Sequence, residues 1–408
     1  MNFDDTPKEA EFRVEARSWL EANGKRLSGA PKGMEGIGLD DVERAQEWQA
    51  KKADANWACI TWPTEYGGRG ATSIEKVIWN QEEGRFDTYA DIFGIGQGML
   101  GPTIMAHGTP EQKSEFLRPL LRGDKIWCQL FSEPGAGSDL AGLRTTAVRD
   151  GDDWIINGQK IWTTWAHFAD IGMVVTRTDP TAAKHAGITY FLIDMKAPGV
   201  EARQIKQISG SAGFNEVFFT DVRVPDTNRV GEVNDGWRGA ITTLMNERAS
   251  IGGGGSGAFN ALLNIARETA WGEGSALEDS AVRQRLADFY VRSRGLKYTG
   301  YRALTALSRG QTPGPENSIG KLIGAPMSQE MAAFACELQG YTGGLNDPAA
   351  TPAGAQFQDD WLSSPGMRIA GGTDQILRNI IAERVLKLPG DIRADKGVAF
   401  NEIPVSAG

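Results

Sequence analysis

The sequence predicts an α+β chain in three parts: helices first, a compact β-domain in the middle, then helices again to the end. Three observations predict it. Residues 1–125 carry apolar side chains among charges at loose helical spacing. Residues 126–235 change to short β-branched and aromatic runs separated by turns. From residue 236 the helical texture returns, lasting to about residue 388 of a final part spanning 236–408.

In the first part, residues 6–22 set Phe12, Val14, Ala16, Trp19 and Leu20 among charges, and residues 42–55 repeat the pattern. Trp62-Pro63-Thr64-Glu65-Tyr66-Gly67-Gly68 breaks it and reads as a loop. Helices are expected again over 74–85, 94–106 and 111–121. The β-domain runs are 145–149, 154–157, 172–178, 188–194 and 216–219, with a hairpin over 145–157 that turns at Asp150-Gly151. The last helical part is interrupted at 308–314 and by a loop at 343–356 rich in proline, glycine and alanine. No internal repeat is evident.

A chain of 408 residues can bury a sizeable core and suggests two or three structural units. Its 40% hydrophobic and 23% charged residues are those of a soluble globular protein. With 43 Lys and Arg against 52 Asp and Glu, the net charge of -9 argues against a nucleic-acid footprint. The start, with Asp4, Asp5, Lys8 and Glu9, shows no basic-then-apolar leader. The uncharged run 249–266 holds five glycines, two serines and two asparagines, a poor membrane span. Cys59, Cys128 and Cys336 are too scattered for a disulfide framework or metal cluster. His107, His167 and His185 lack metal spacing and an evident Ser or Cys partner. The charges at 203–206 and 283–285 read as solvated surface. The expectation is a cytoplasmic protein without nucleic-acid, membrane or metal partners.

The chemistry concentrates in residues 128–164. One end reads Cys128-Gln129-Leu130-Phe131-Ser132-Glu133-Pro134-Gly135-Ala136-Gly137-Ser138-Asp139. The glycines let main-chain N–H groups approach a ligand, and Ser132 and Ser138 offer uncharged hydroxyls. The other end reads Asn157-Gly158-Gln159-Lys160-Ile161-Trp162-Thr163-Thr164, with a flat apolar face beside two hydroxyls. A flavin ring needs a stacking surface and donors near the position that receives hydride. Each half alone is also consistent with an ordinary glycine turn or a buried tryptophan. The two together, separated by one hairpin, are far more specific.

With these segments in hand, the sequence resembles the acyl-CoA dehydrogenase family over nearly its whole length. Further support comes from Gly108-Thr109-Pro110-Glu111-Gln112-Lys113, and from Gly371-Gly372-Thr373-Asp374-Gln375-Ile376 running into Arg378-Asn379-Ile380-Ile381-Ala382-Glu383-Arg384. The resemblance implies an N-terminal helical domain, a middle β-barrel or sandwich and a C-terminal four-helix bundle. It implies FAD, held by Leu130, Phe131, Ser132, Gly137, Ser138, Trp162, Thr163, Thr164, Gln339, Gly343, Thr373 and Gln375. It also implies α,β-dehydrogenation of an acyl-CoA, with an electron-transferring flavoprotein as acceptor.

The reaction needs a carboxylate positioned as general base. Many family members carry it just before the Gly-Thr near the C-terminus, but here that position is Gly371. Glu247 is the alternative. Ile241, Leu244 and Ile251 fall at helical spacing, and Glu247 lies three residues after Leu244 and four before Ile251. A carboxylate on such a stripe is costly unless paired or used; Arg248 could equally pair it structurally. The resemblance favours use, since Asn246-Glu247-Arg248 matches the segment where isovaleryl- and long-chain-type members place their base. By the same likeness Arg248, Ser138 and Gly372 contact the acyl-CoA. The run Gly252-Gly253-Gly254-Gly255-Ser256-Gly257 costs about 1 kcal/mol per helical glycine. It implies close helix packing or room for a bulky or branched acyl group.

Two departures concern assembly. The family's Arg-x-x-Phe-Gly segment, whose arginine reaches a neighbour's FAD, is replaced by Ala270-Trp271-Gly272-Glu273-Gly274-Ser275. The Gln-x-x-Gly-Gly signature is altered to Gln339-Gly340-Tyr341-Thr342-Gly343-Gly344. The chain is therefore expected to pair with an unlike acyl-CoA dehydrogenase-like subunit as α2β2, with a homo-oligomer as the alternative. A catalytically silent scaffold subunit and a flavin oxidase on the same scaffold stay open as functions.

Overall fold

A computed structural model describes residues 5–27, 37–88, 92–250, 256–309, 314–393 and 395–404. The chain forms two compact units, residues 1–247 with 392–408, and residues 248–391.

The first unit opens with helices α1 (Pro7–Asn23), α2 (Leu39–Asp54), α3 (Ser73–Glu83), α4 (Gly101–His107) and α5 (Pro110–Arg122). Thr6, Thr72 and Thr109 cap α1, α3 and α5, each answered by the side chain three residues on, so two orphan N–H donors are satisfied at each start. The helix expected over 94–106 is divided. Residues Gly96–Leu100 form a π-helical turn before α4. The packing gives the reason: a Cβ at Gly101 would lie 2.4 Å from Trp62, and one at Gly96 2.6 Å from Leu120. The expected loop at 62–68 contains one 3-10 turn, Thr64–Tyr66.

The middle strands are β1 (Trp127–Leu130), β2 (Thr146–Asp150), β3 (Asp153–Thr164), β4 (Ile171–Arg177), β5 (Ile188–Asp194), β6 (Val200–Ile205), β7 (Phe214–Pro225) and β8 (Arg229–Val230). Among the described residues they form an eight-stranded sheet in the order β6-β7-β3-β2-β4-β5-β8, with β1 parallel to β4. The expected hairpin is present: Asp150 pairs with Asp153, and Gly151 takes φ +64°. The runs expected at 154–157 and 216–219 are the cores of the longer strands β3 and β7. Polar residues 157–160 hid the continuation of β3.

The sheet is covered on both faces. In β5, Phe191 and Ile193 join one apolar cluster with Val42, Ala45 and Phe93, while Tyr190 and Leu192 join another with Leu100, Leu117 and Ala240. Period-two geometry turns this continuous apolar run to both sides. Each such side chain, fully buried, stabilises by about 1.5–3 kcal/mol. After β8 comes α6 (Gly236–Ser250). A Cβ at Gly236 would sit 2.6 Å from the Thr189 backbone, and one at Gly239 2.7 Å from the Tyr190 ring. These glycines seat α6 directly on β5.

The second unit holds α7 (Ser256–Glu268), α8 (Ser280–Ser308), α9 (Ser318–Leu338), α10 (Gln356–Met367) and α11 (Asp374–Ile380). Leu262, Phe289, Met331, Phe334 and Phe357 form the core of this helical bundle. The glycines at 252–255, expected to continue the base helix, lie outside the described residues.

Candidate active site

The two sequence halves of the ring-holding stretch meet. The Ile161 N–H donates to the Ser132 carbonyl at 2.9 Å. The Lys160 ammonium donates to the Phe131 carbonyl at 3.0 Å and to Glu133 Oε1 at 2.8 Å. Lys160 and Glu133 are both buried. The Glu133 carboxylate also accepts from the main-chain N–H groups of Arg144 (2.6 Å) and Thr145 (2.9 Å). Burial alone would raise the Glu133 pKa, but Lys160 and these donors outweigh it and hold the carboxyl below its ordinary value. Burial pushes the Lys160 pKa down, against the pull of Glu133. Sequence reading quoted both residues without giving them a role. The alternation of Trp154 and Ile156 along β3, which turns Lys160 inward, was the available signal.

Just past this junction the strand is irregular. The β3–β7 register shifts between Lys160 and Thr163, and Trp162 takes φ +59°, a left-handed conformation uncommon outside glycine. The bulge turns the Trp162 ring outward, 56% exposed, with its edge toward Phe214. Thr163 is buried, and its Oγ1 finds no partner among the described residues. Thr164 closes the strand, half-buried. On the facing turn, Gly135 and Gly137 have open space where a Cβ would stand, Ser138 is exposed and Ser132 half-buried. An exposed aromatic face, an orphaned buried hydroxyl and an open glycine turn fit a flat ring with hydrogen-bonding edges. Leu130 and Phe131 place their side chains in the apolar core, so only their main chain is left to serve a ligand.

Glu247 lies in the last turn of α6, half-buried. The reason for its placement differs from the expected stripe. Ile241 is 42% exposed, whereas Ala240 and Thr243 are fully buried. Small residues at 236, 240 and 243 form the packed face, and Glu247 follows Thr243 by four residues on that same side. Thr243 Oγ1 lies 3.1 Å from the Tyr190 hydroxyl and 2.7 Å from Thr103 Oγ1, a buried hydroxyl chain joining α6, β5 and α4. No local pattern in the sequence marks this hydroxyl chain. Ile251, also counted in the stripe, and the Arg248 side chain lie outside the described residues.

Beside the start of α6 is a cavity of about 450 Å³ lined by Trp237, Arg238, Ile241, Asn234, Asp235, His185 and Ala186. The His185 ring meets Trp237 edge-on at 4.8 Å, and burial pushes its pKa below the ordinary histidine value, favouring neutral imidazole at pH 7. Arg238 pairs with Asp235 at 3.0 Å yet stays largely exposed. Ile241 and Glu247 are six residues apart, about 9 Å along the helix.

The remaining predicted residues fall in the second unit. Thr373 caps α11 and, with Gln375 and Arg368, lines a cavity of about 270 Å³. Gly371 and Gly372 have positive φ (+62° and +95°), and the Gly372 carbonyl accepts from Lys321. Gln358 Nε2 donates to Gln339 Oε1 at 2.8 Å, leaving Gln339 Nε2 and Gln358 Oε1 buried without partners among the described residues. Gly343 is required by packing, since a Cβ there would lie 2.0 Å from the Cys336 carbonyl. No group of three or more metal-ligating side chains occurs among the described residues.

Comparison with known proteins adds independent findings. Family models for the acyl-CoA dehydrogenase N-terminal, middle and C-terminal domains match residues 6–124, 128–222 and 234–386. Acyl-CoA dehydrogenase IpdE1 of Mycobacterium tuberculosis is 37% identical over 399 residues, covering 94% of this chain and 98% of that protein. A chain of the ChsE4-ChsE5 complex from M. tuberculosis superposes with a TM-score of 0.79 at 30% identity, covering 96% of this chain and 100% of its own. A chain of the Tcur3481-Tcur3483 steroid ACAD gives a TM-score of 0.81 at 28% identity, with the same coverage.

The buried pair makes a stability prediction. Lys160→Met leaves the Glu133 carboxylate uncompensated and should cost about 3 kcal/mol at pH 7, read as a lowered thermal midpoint. Because the folded-state pKa of Glu133 is depressed, its contribution is complete above the unfolded value of about 4.3 and is lost as pH falls through the folded value. Glu133→Gln should therefore flatten the acid limb of the stability profile below about pH 4.3. An unchanged profile would show that the pair carries no such load.

Proposed function

The chain belongs to the acyl-CoA dehydrogenase family of flavoprotein oxidoreductases, and on that premise we propose that it converts a bulky or branched acyl-CoA to its 2-enoyl-CoA, with Glu247 as base and FAD as cofactor. The observation that carries this reading is the placing of Glu247 on α6, in line with the packed face set by Gly236, Ala240 and Thr243 and on the same helix as the cavity wall Trp237–Arg238–Ile241. Glu247 takes the α-proton of the thioester in a site from which the bound acyl group excludes water. FAD, when bound, supplies the acceptor for the β-hydride. Trp162 offers the stacking face, Thr163, Thr164, Ser132 and Ser138 the hydroxyls, Gly137 the close main chain, and Leu130 and Phe131 main-chain groups. By the family resemblance, Arg248 meets the pantetheine arm of CoA, Ser138 serves both flavin and substrate, and Gly372 is a further substrate-binding residue. Arg238, His185 and Trp237 suit the polar, anionic arm of CoA. Gln339, Gly343, Thr373 and Gln375 are cofactor-binding residues, Gln339 and Gly343 belonging to the altered signature that the chain would lend to a neighbouring subunit's FAD, and an electron-transferring flavoprotein takes the electrons.

The bulky substrate and the unlike partner subunit draw support from the ChsE4-ChsE5 complex and the Tcur3481-Tcur3483 steroid ACAD, which this chain resembles. They are supported also by the absence of the Arg-x-x-Phe-Gly segment. The second unit leaves Val291 (67%), Tyr298 (55%), Ile369 (67%) and Leu386 (63%) exposed, as an assembly surface would. Gly371, where a carboxylate stands in many relatives, favours a second reading, a silent subunit beside an active partner.

Glu247→Gln decides between them. In the leading reading it lowers kcat by about 10²–10⁴-fold while flavin absorbance is retained; a silent subunit would leave the activity of the assembly unchanged. Purified alone, the chain should carry clearly less than one flavin per subunit, rising on addition of the partner. Stoichiometric FAD with full activity in a homo-oligomer would contradict the mixed assembly.

A further inference from the structure

The chain leaves the first unit after Glu247 and returns to it at Ile392. The returning tail is built into the β-domain. Ala399 bridges Ala183, the Phe400 N–H donates to the Ala182 carbonyl at 2.9 Å, and the Asn401 N–H donates to the Pro180 carbonyl at 2.9 Å. Phe400 is 7% exposed, with the Arg177 guanidinium 3.8 Å from its ring centre and that of Arg144 at 5.2 Å. Arg177 is itself buried and donates to the Lys184 carbonyl at 2.8 Å and the Ala141 carbonyl at 2.6 Å. Lys184, 8% exposed, donates to Asp395 of the tail at 3.0 Å and also to Asp139.

The main-chain contacts and the Asp395 pair fall on the segment 179–187, while the Phe400 ring rests on Arg177 and Arg144, and the segment includes two residues of the cavity wall, His185 and Ala186. The segment joins β4 to β5; it is closed at its base by the Asp179 N–H to the Gly187 carbonyl and turned by Asp179 and by the Ala186 N–H to the Ala183 carbonyl, and the tail and Lys184 hold it from outside. On one side the tail grips it through Ala399, Phe400 and Asp395. On the other, Lys184 ties it to Asp139, one residue beyond Ser138 on the ring-holding turn.

We propose that the C-terminal tail, residues 395–404, is a positioning element for the CoA-binding cavity, fixing His185 and Ala186 through Phe400, Asp395 and Lys184. The inference rests on reading that cavity as the seat of the CoA arm. Among the described residues its contacts are with Arg144, Arg177 and the 180–184 segment and not with Glu247 or Trp162–Thr164, so it should govern substrate affinity more than the chemical step. A displacement of the wall on the ångström scale is enough to weaken binding several-fold.

The test uses the full chain, with its partner if flavin loading requires one, and coenzyme A as probe. Phe400→Ala, Phe400→Tyr and a chain ending at Asp391 are compared with the parent by calorimetric titration, by kcat and KM on one acyl-CoA, and by hydrogen exchange of amides 179–187. Phe400→Ala and the shortened chain should bind coenzyme A about fivefold more weakly, raise KM in parallel and keep kcat within about twofold. Phe400→Tyr should restore the parent values, and exchange at 179–187 should quicken only where affinity falls. Parent-like affinity in Phe400→Ala overturns the proposal, as does a tyrosine variant no better than the alanine one. A parent protein that binds no coenzyme A overturns the reading of the cavity as well, which separates the two failures.

Discussion

The contact on which the proposed flavin-facing surface depends is the buried ion pair between Glu133 and Lys160. Glu133 belongs to the glycine turn after β1 and Lys160 to the inward face of β3, two segments that lie 27 residues apart. A buried charge that loses its partner is expensive, and here both carboxylate oxygens of Glu133 accept hydrogen bonds and the Lys160 ammonium donates two. Lys160 reaches the Phe131 carbonyl while Glu133 gathers the N–H groups of Arg144 and Thr145. The pair therefore fixes the turn against the strand before any cofactor arrives. Next to it in the strand is the bulge at 161–163, where Trp162 turns outward in a left-handed conformation and the Thr163 hydroxyl has no partner among the described residues. Backbone strain and an orphaned buried polar atom cost free energy, and a bound ring that uses both would recover it.

The second constraint is the seating of α6. Gly236 and Gly239 allow its first turn to lie on β5, and Thr243 locks the register through Tyr190 and Thr103. A helix gripped so early presents its later residues in a fixed order, Ile241 beside the cavity and then Glu247. The placement of the proposed base thus follows from small residues and hydroxyls that line the packed face of α6.

Much of this was legible in the sequence, for definable reasons. The three-part texture, the hairpin at Asp150-Gly151 and β5 at 188–194 follow from local pattern, and local pattern decides them. The two halves of the ring-holding stretch were recognisable because each has an unusual composition, and the structure brings them together. The long reach of β3 was not legible, since Asn157 to Lys160 are polar and Gly158 interrupts the propensity. Nor was the α6 face, because its buried positions are Gly, Ala and Thr, which no hydrophobic pattern marks. Ile241, the expected inward residue, turned out half-exposed at a cavity. Leu130 and Phe131 proved to be core side chains, a role that sequence likeness to ring-binding segments does not reveal. Arg238, His185 and the tail contacts depend on segments far apart in the chain, which no window of sequence brings together.

The central claim is that Glu247 removes the α-proton of a bound acyl-CoA. Incubating the flavin-loaded assembly with a saturated acyl-CoA in deuterated water, without an electron acceptor, tests it most directly. The account predicts that the parent protein washes deuterium into the α-position and that Glu247→Gln, with its flavin retained, does not. Undiminished exchange in the Gln variant would contradict it, placing the base on another residue or another chain.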